Sequence, residues 1–90
     1  MKTEIKLQTG ILIDGVTVKT LAMREPTVGD QIAAQEVKGT PAAQEVALMA
    51  NLCEITPNDI KAMTLRDYRK VQEALAGFTD WRRRMRGRAS

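Results

Sequence analysis

Apolar residues on both sides of an Asp-Gly pair predict a β-hairpin near the N-terminus. Asp14 and Gly15 separate the apolar run ILI at 11–13 from the alternating VTV at 16–18. A two-residue type I′ turn needs positive φ at both central positions, and Asp-Gly is a preferred pair for it. In this register four β-branched side chains share one face of the hairpin, so the predicted pairing is self-consistent.

The parity of the apolar positions changes along the second strand. Leu21 and Met23 fall on the opposite face from the valines at 16 and 18 if the strand alternates regularly. A strand that must bury one face cannot change parity without an irregularity in its pairing. We therefore expect a β-bulge near Gly10 or Thr20.

Beyond Pro26 the apolar spacing changes from two residues to nearly four, which predicts helices. A threonine stands where each N-cap is expected, because its hydroxyl can accept a hydrogen bond from an amide of the first turn. These threonines are Thr27, Thr40, Thr56 and Thr64. An aspartate follows three of them by three residues and suits the positive end of a helix. These aspartates are Asp30, Asp59 and Asp67. The predicted helices cover about 28–37, 41–53, 57–62 and 65–76.

The spacing also predicts which helix faces point into the core. The first helix is expected to bury Val28, Ile32 and Ala33. The last helix is expected to end at Gly77 and to bury a stripe with spacings of three to four. That stripe consists of Leu65, Tyr68, Val71 and Leu75.

The predicted fold class is therefore α+β, with an N-terminal β-hairpin packed on a small bundle of three to four short α-helices. A hairpin alone is marginal in water, so helices must cover one of its faces. We expect a single domain over residues 1–80, with the hairpin at about 3–24 and the helices at about 28–76. Residues 81–90 are expected to form a flexible basic C-terminal tail.

The charge of the chain is unevenly distributed. Residues 1–80 hold 9 of the 14 cations and all 11 acids, which gives that part a net charge of −2. Five arginines follow Trp81, among them Arg82, Arg83 and Arg84. A solubilising terminus is the favoured interpretation of this tail, with an acidic protein partner second and nucleic acid third.

Residue types needed for common catalytic and metal sites are scarce. The chain has no histidine, and its single cysteine, Cys53, falls on an apolar helix face and is expected to be buried. The six glycines are scattered, so no phosphate-binding loop is predicted. The aspartates that follow threonines are better explained by helix capping than by metal binding. We expect no enzyme, no cofactor and no metal, and no run of 18 apolar residues predicts a membrane span.

The stretch ILIDGVTVKTLAMREPTVGD, at 11–30, resembles the opening of the small tail assembly chaperone family of Mu-like and related contractile-tailed phages. The family pattern has a turn glycine and a strand, followed by an arginine, a proline, a threonine and an aspartate. The matching residues are Gly15, Arg24, Pro26, Thr27 and Asp30. The stretch LMANLCEITPNDIKAMTLRDYRKVQEALAGF, at 48–78, is similar to the second half of the family, and the resemblance spans about residues 3–78.

The resemblance implies a chaperone that binds and solubilises the tape measure protein during tail morphogenesis and is absent from the finished virion. It also implies the host bacterial cytoplasm, with the tail tube protein, a frameshifted longer form and a homo-oligomer as further partners. The expected partner-binding residues are Leu48, Met49, Leu52, Met63 and the arginines at 82–84. Ordinary core is the competing interpretation of the four apolar residues. The alternative function is a small nucleic-acid-binding or regulatory protein that uses the arginine tail, and a subunit retained in the virion is less favoured.

Overall fold

The computed structural model describes residues 2–79, which form an antiparallel hairpin followed by four helices. The elements are β1 (Lys2–Ile13), β2 (Val16–Arg24), α1 (Val28–Gln35), α2 (Pro41–Cys53), α3 (Pro57–Lys61) and α4 (Leu65–Thr79). The predicted α+β class with its N-terminal hairpin and short helices is confirmed. The predicted arginine tail lies outside the described residues.

The hairpin turn has the conformation that the Asp-Gly pair predicts. Asp14 and Gly15 have φ angles of 51° and 78°, as a type I′ turn requires. On either side of the turn Ile13 pairs with Val16.

The predicted bulge is confirmed at Gly10. Pairing of β1 with β2 is interrupted between Lys6 and Ile11, so that residues 7–10 lie opposite residue 19. Gly10 has a φ of +86°, and a Cβ there would approach the carbonyl oxygen of Val18 to 2.9 Å. Only glycine accepts this conformation and this close approach without strain.

Local capping residues determine where the helices begin. Thr27 and Thr56 each form a complete capping box with the aspartate three residues later. Thr40 accepts from the amide of Ala43 ahead of α2, and Pro41 occupies the first helical position.

Two of the predicted helix ends differ from the structure. α1 stops at Gln35, two residues early, and α4 continues through Gly77 to Thr79. The prediction that Gly77 ends the helix is wrong. Phe78, which follows it, packs against the core, and this contact favours the helical conformation beyond the glycine. The cost of one glycine inside a helix is about 1 kcal/mol, which such packing exceeds.

The core lies between one face of the hairpin and helices α2, α3 and α4. It is aliphatic and methionine-rich, and Cys53 is buried in it as predicted. Its buried members are Ile5, Leu7, Ile11, Leu21, Met23, Met49, Ala50, Leu52, Cys53, Ile60, Met63 and Val71. Val18 also packs against this cluster, so the hairpin directs both Val18 and Leu21 to the core although they differ in parity. The bulge in β1 accompanies this change.

Helix α1 faces the opposite way from the prediction. Val28 and Ile32 are 77% and 52% exposed, Ala33 is exposed as well, and the buried residue of the helix is Ala34. The expectation that Val28, Ile32 and Ala33 point inward is therefore wrong. A small alanine lets α1 lie close to α2, whereas the larger side chains remain in solvent. Leu65, expected in the core, is also exposed.

Candidate partner-binding surface

Helices α1 and α2 form an antiparallel pair at one side of the domain. At one end the side-chain amide of Asn51 donates to Oδ1 of Asp30 over 3.1 Å. At the other end the side-chain amide of Gln44 donates to the carbonyl oxygens of Val37 and Gln35, at 3.1 and 3.3 Å. These bonds fix the orientation of α1 on α2, because they hold both of its ends.

Asp30 joins α1 to the hairpin as well as to α2. The guanidinium of Arg24 donates to both of its carboxylate oxygens, over 2.6 and 2.8 Å, and the amide of Thr27 donates over 2.9 Å. Planar, two-point pairing of this kind is specific to arginine. The bonds from Arg24 and Thr27 hold the pKa of Asp30 well below its usual range. Arg24 and Asp30, both part of the family-like pattern, thus have a positioning role.

A buried carboxylate clamps α4 onto the bulge of β1. Asp67 is fully buried and accepts three backbone hydrogen bonds, from Gln8 at 2.7 Å and from Thr9 and Gly10 at 3.0 Å each. Burial alone would raise the pKa of Asp67, but the three amides together hold it below its ordinary value. The hydroxyl of Thr64 still accepts from the amide of Asp67, so the predicted cap is present. The long-range role of the carboxylate was not predicted.

A second, partly buried contact joins α2 to α4. The hydroxyl of Tyr68 donates to Oε1 of Glu45 over 2.6 Å, and the side-chain amide of Gln72 donates to the same oxygen over 2.8 Å. Burial and the neighbouring carboxylate raise the pKa of Tyr68 above its usual range. Tyr68 is therefore neutral, and its role is to tie the two helices together.

Several large apolar side chains of the folded domain remain in solvent. They are Leu12, Val16, Val28, Ile32, Val37 and Leu65. Val28 and Ile32 lie one turn apart on α1, on the side away from the buried Ala34, and we call this pair the α1 outer face. Side chains spaced by four residues on a helix form a continuous stripe.

Two grooves flank α1. One, of about 160 Å³, runs between Ala33, Ala34 and Val37 on one side and Ala47 and Leu48 of α2 on the other. The second, of about 310 Å³, lies between α1, α2 and α4 and also includes Ala34 and Leu48. Helix α1 is therefore flanked by a largely apolar groove on one side and by a groove of mixed polar and apolar lining on the other.

The structure separates the predicted partner-binding residues into three groups. Leu48 is half-buried and lines both grooves beside α1. Met49, Leu52 and Met63 are buried in the core, which favours the competing interpretation of these three residues as ordinary core. Residues 82–84 lie outside the described part of the chain. Whether any of these residues contacts a partner stays a prediction.

Sequence reasoning missed the α1 outer face because the pattern of α1 is ambiguous. Apolar residues occupy both sides of this short helix, with alanines at 33 and 34 and larger residues at 28 and 32. Hydrophobicity favours burying the larger residues, whereas close helix packing favours the alanines. The hydrogen bonds that hold the two ends of α1, at Asp30 and at the carbonyls of Gln35 and Val37, decide between the two.

Other kinds of site find little support in the described residues. Between residues 2 and 79 no group of three or more histidine, cysteine or acidic side chains is arranged to hold a metal ion. Burial raises the pKa of the Cys53 thiol to about 11, which makes it a poor nucleophile. None of the helices in this part of the chain has the length and apolar character to span a membrane.

These features define a small α+β domain whose hairpin is clamped to a helical bundle and whose first helix presents apolar side chains to solvent. The family model of phage tail assembly chaperone proteins, E, or 41 or 14, matches residues 4–80, and the chain belongs to that family. The family resemblance expected from the sequence is confirmed. A search of curated proteins found no match. A search of solved structures also found none. Membership of a chaperone family favours a non-enzymatic role.

Proposed function

We propose that this phage tail assembly chaperone binds the tail tape measure protein in the host bacterial cytoplasm and keeps it soluble until the tail forms. In this proposal the chain leaves before the virion is complete. The observation that carries the proposal is the α1 outer face, where two large apolar side chains remain in solvent after the domain has folded. Family membership supplies the tail assembly context.

The physical need for such a chaperone follows from the shape of the client. A long helical rod exposes more apolar surface than a soluble chain tolerates before its partners assemble around it. Val28 and Ile32 offer a stripe that matches one face of an amphipathic helix. Leu48 lies in the grooves between α1 and α2, on the other side of α1 from that stripe, so we treat it as a separate candidate contact.

Co-expression of the tape measure protein with and without this chain tests the proposal. We expect the soluble fraction of the tape measure protein to rise in the presence of the chain, and the two proteins to purify together. Mass spectrometry of the same complex would identify the tail tube protein or a longer form of the chain as further partners. An unchanged soluble fraction would contradict the proposal.

The arginine tail provides the comparison with the nucleic-acid alternative. A chain that ends at residue 80 is expected to retain its effect on the tape measure protein, because the α1 outer face lies in the described domain. If the truncated chain loses this effect, and also loses a salt-sensitive binding of oligonucleotides that the full chain shows, the nucleic-acid function is favoured instead. Detection of the chain in purified virions would show that it is a retained subunit.

A further inference from the structure

We infer that the α1 outer face docks a basic amphipathic helix, an assignment that rests on the proposed function and specifies the client segment. The surface offers apolar contact at Val28 and Ile32 within the most acidic part of the chain. Residues 24–60 contain six acids, at 25, 30, 36, 45, 54 and 59, and two cations, Arg24 and Lys38, which gives a net charge of −4 with Arg24 paired to Asp30. A helix that carries lysine or arginine beside its apolar stripe complements this surface.

The acidic side chains lie at both ends of the α1 outer face. Glu25 precedes the N-cap of α1 and Glu36 is its C-cap, and both are exposed. Glu54 is exposed at the C-cap of α2. The hydrogen bond with Asp30 raises the pKa of the Arg24 guanidinium most, and the charge of Glu54 adds a smaller contribution, which indicates that Glu54 lies near Arg24. The antiparallel arrangement of the two helices therefore brings Glu25 and Glu54 to the same end.

Among the other exposed apolar residues, Val37 follows α1 within the same acidic stretch, whereas Leu12, Val16 and Leu65 lack this surrounding charge. Leu12 and Val16, at the hairpin tip, belong to residues 2–23, which carry three cations and two acids. Leu12 pairs with Thr17 whereas Val16 pairs with Ile13, so the two side chains lie on opposite faces of the hairpin. Leu65 belongs to residues 61–79, which carry four cations and two acids. Within residues 2–79, α1 is the element that combines an apolar stripe with negative surroundings.

The size of the surface indicates how the client is held. An eight-residue helix is about 12 Å long and meets about two turns of a partner helix. One such contact is too small for tight binding, so we expect weak affinity for a single segment. A long client with many similar segments would gather many copies of the chain.

Two designed peptides of about 20 residues test this assignment, because they share one Ala/Leu face and differ only in flanking lysines or glutamates. The full chain, labelled with ¹⁵N, is titrated with each peptide at low salt. We expect the lysine peptide to bind at least about tenfold more tightly, since each exposed ion pair changes affinity by between about 1.5-fold and fivefold. The shifted amide signals should come from residues 25–36, and high salt should reduce the preference.

Matched variants locate the surface. Val28→Ser with Ile32→Ser should weaken binding of the lysine peptide at least about tenfold. Leu12→Ser with Val16→Ser removes similar exposed side chains at the hairpin tip and should leave binding unchanged. Circular dichroism of both double variants is the control that checks whether they are folded. Glu25→Lys with Glu36→Lys should reverse the preference in favour of the glutamate peptide.

Three results would overturn the assignment. The first is equal affinity for the two peptides, and the second is unchanged binding after the α1 substitutions. The third is binding of a peptide of residues 80–90 as tight as that of the lysine peptide, which would assign the surface to the chain's own C-terminal segment. Sedimentation of the chain alone tests whether a second copy occupies the surface. In that case the α1 substitutions would lower the sedimenting mass of the chain. The proposed function is tested separately. If the α1 double variant still solubilises the tape measure protein, that function stands and the α1 assignment fails.

Discussion

Replacing Asp67 with asparagine tests how the hairpin is held on the helices. The carboxylate accepts from Gln8 through Oδ1 and from Thr9 and Gly10 through Oδ2. Asparagine has a single acceptor oxygen, and its side-chain NH₂ must take the other position. If the oxygen keeps the two bonds at the Oδ2 site, the NH₂ group faces the amide of Gln8, donor against donor.

The expected loss follows from these three bonds. One buried amide without an acceptor costs about 1–3 kcal/mol, and each bond that changes from charged to neutral loses about 1 kcal/mol. Relief of the buried charge offsets part of this sum. We expect Asp67→Asn to lower the free energy of unfolding by about 2–4 kcal/mol. A domain of this size has about 4–12 kcal/mol in total, so the expected loss is a measurable fraction of its stability.

Urea denaturation followed by circular dichroism at 222 nm measures this loss. Asp59→Asn is the matched control, because Asp59 accepts from the amide of Thr56 at the start of α3 in a capping box. This control should lose less than about 1 kcal/mol, since a capping asparagine still accepts a hydrogen bond. Equal losses in the two variants would refute the view that the buried carboxylate is needed to satisfy the bulge amides.

Three further predictions concern stability and reactivity. Gly10→Ala should destabilise the domain by about 1–3 kcal/mol because of its positive φ and close neighbours, whereas Gly77→Ala, with open space in a helix, should stabilise it by up to about 1 kcal/mol. Thermal melts would show opposite shifts, and shifts of the same sign would contradict this reasoning. The pKa values of Asp30 and Asp67 are lowered in the folded chain, so their contribution is present above about pH 4 and is lost as the pH falls further. Urea midpoints between pH 7 and pH 2.5 measure this loss, and a constant midpoint would contradict it. The raised pKa of Cys53 predicts that alkylation of its thiol at pH 8 is on the order of 100-fold slower in the native chain than in urea. Mass spectrometry measures both rates, and equal rates would contradict the prediction.

Local chemistry was sufficient to predict the hairpin and the helix starts. The conformation of Asp14 and Gly15 depends on their own backbone preferences, and each threonine cap acts on amides no more than three residues away. The bulge near Gly10 was also predictable, because a change of parity along one strand requires an irregular pairing. Such features involve residues that are close in sequence.

The candidate site was less predictable, because it depends on which face of a helix is covered. Leu48 is half-buried and lines two grooves beside α1. Leu52 is as apolar as Leu48 and lies on the same helix, yet it is fully buried. Hydrophobic spacing identifies apolar residues but does not show which of them another element will cover.

The sequence by itself determined the element order, the turn, the caps and the family, because these depend on residue type at fixed short spacings. The tertiary structure alone decided that Asp67 meets the bulge 57 to 59 residues away and that α1 turns Val28 and Ile32 outward. In both cases the deciding partner is remote in the chain. Backbone amides at a bulge carry no signal in residue type, and the orientation of a short helix depends on the groups that hold its ends.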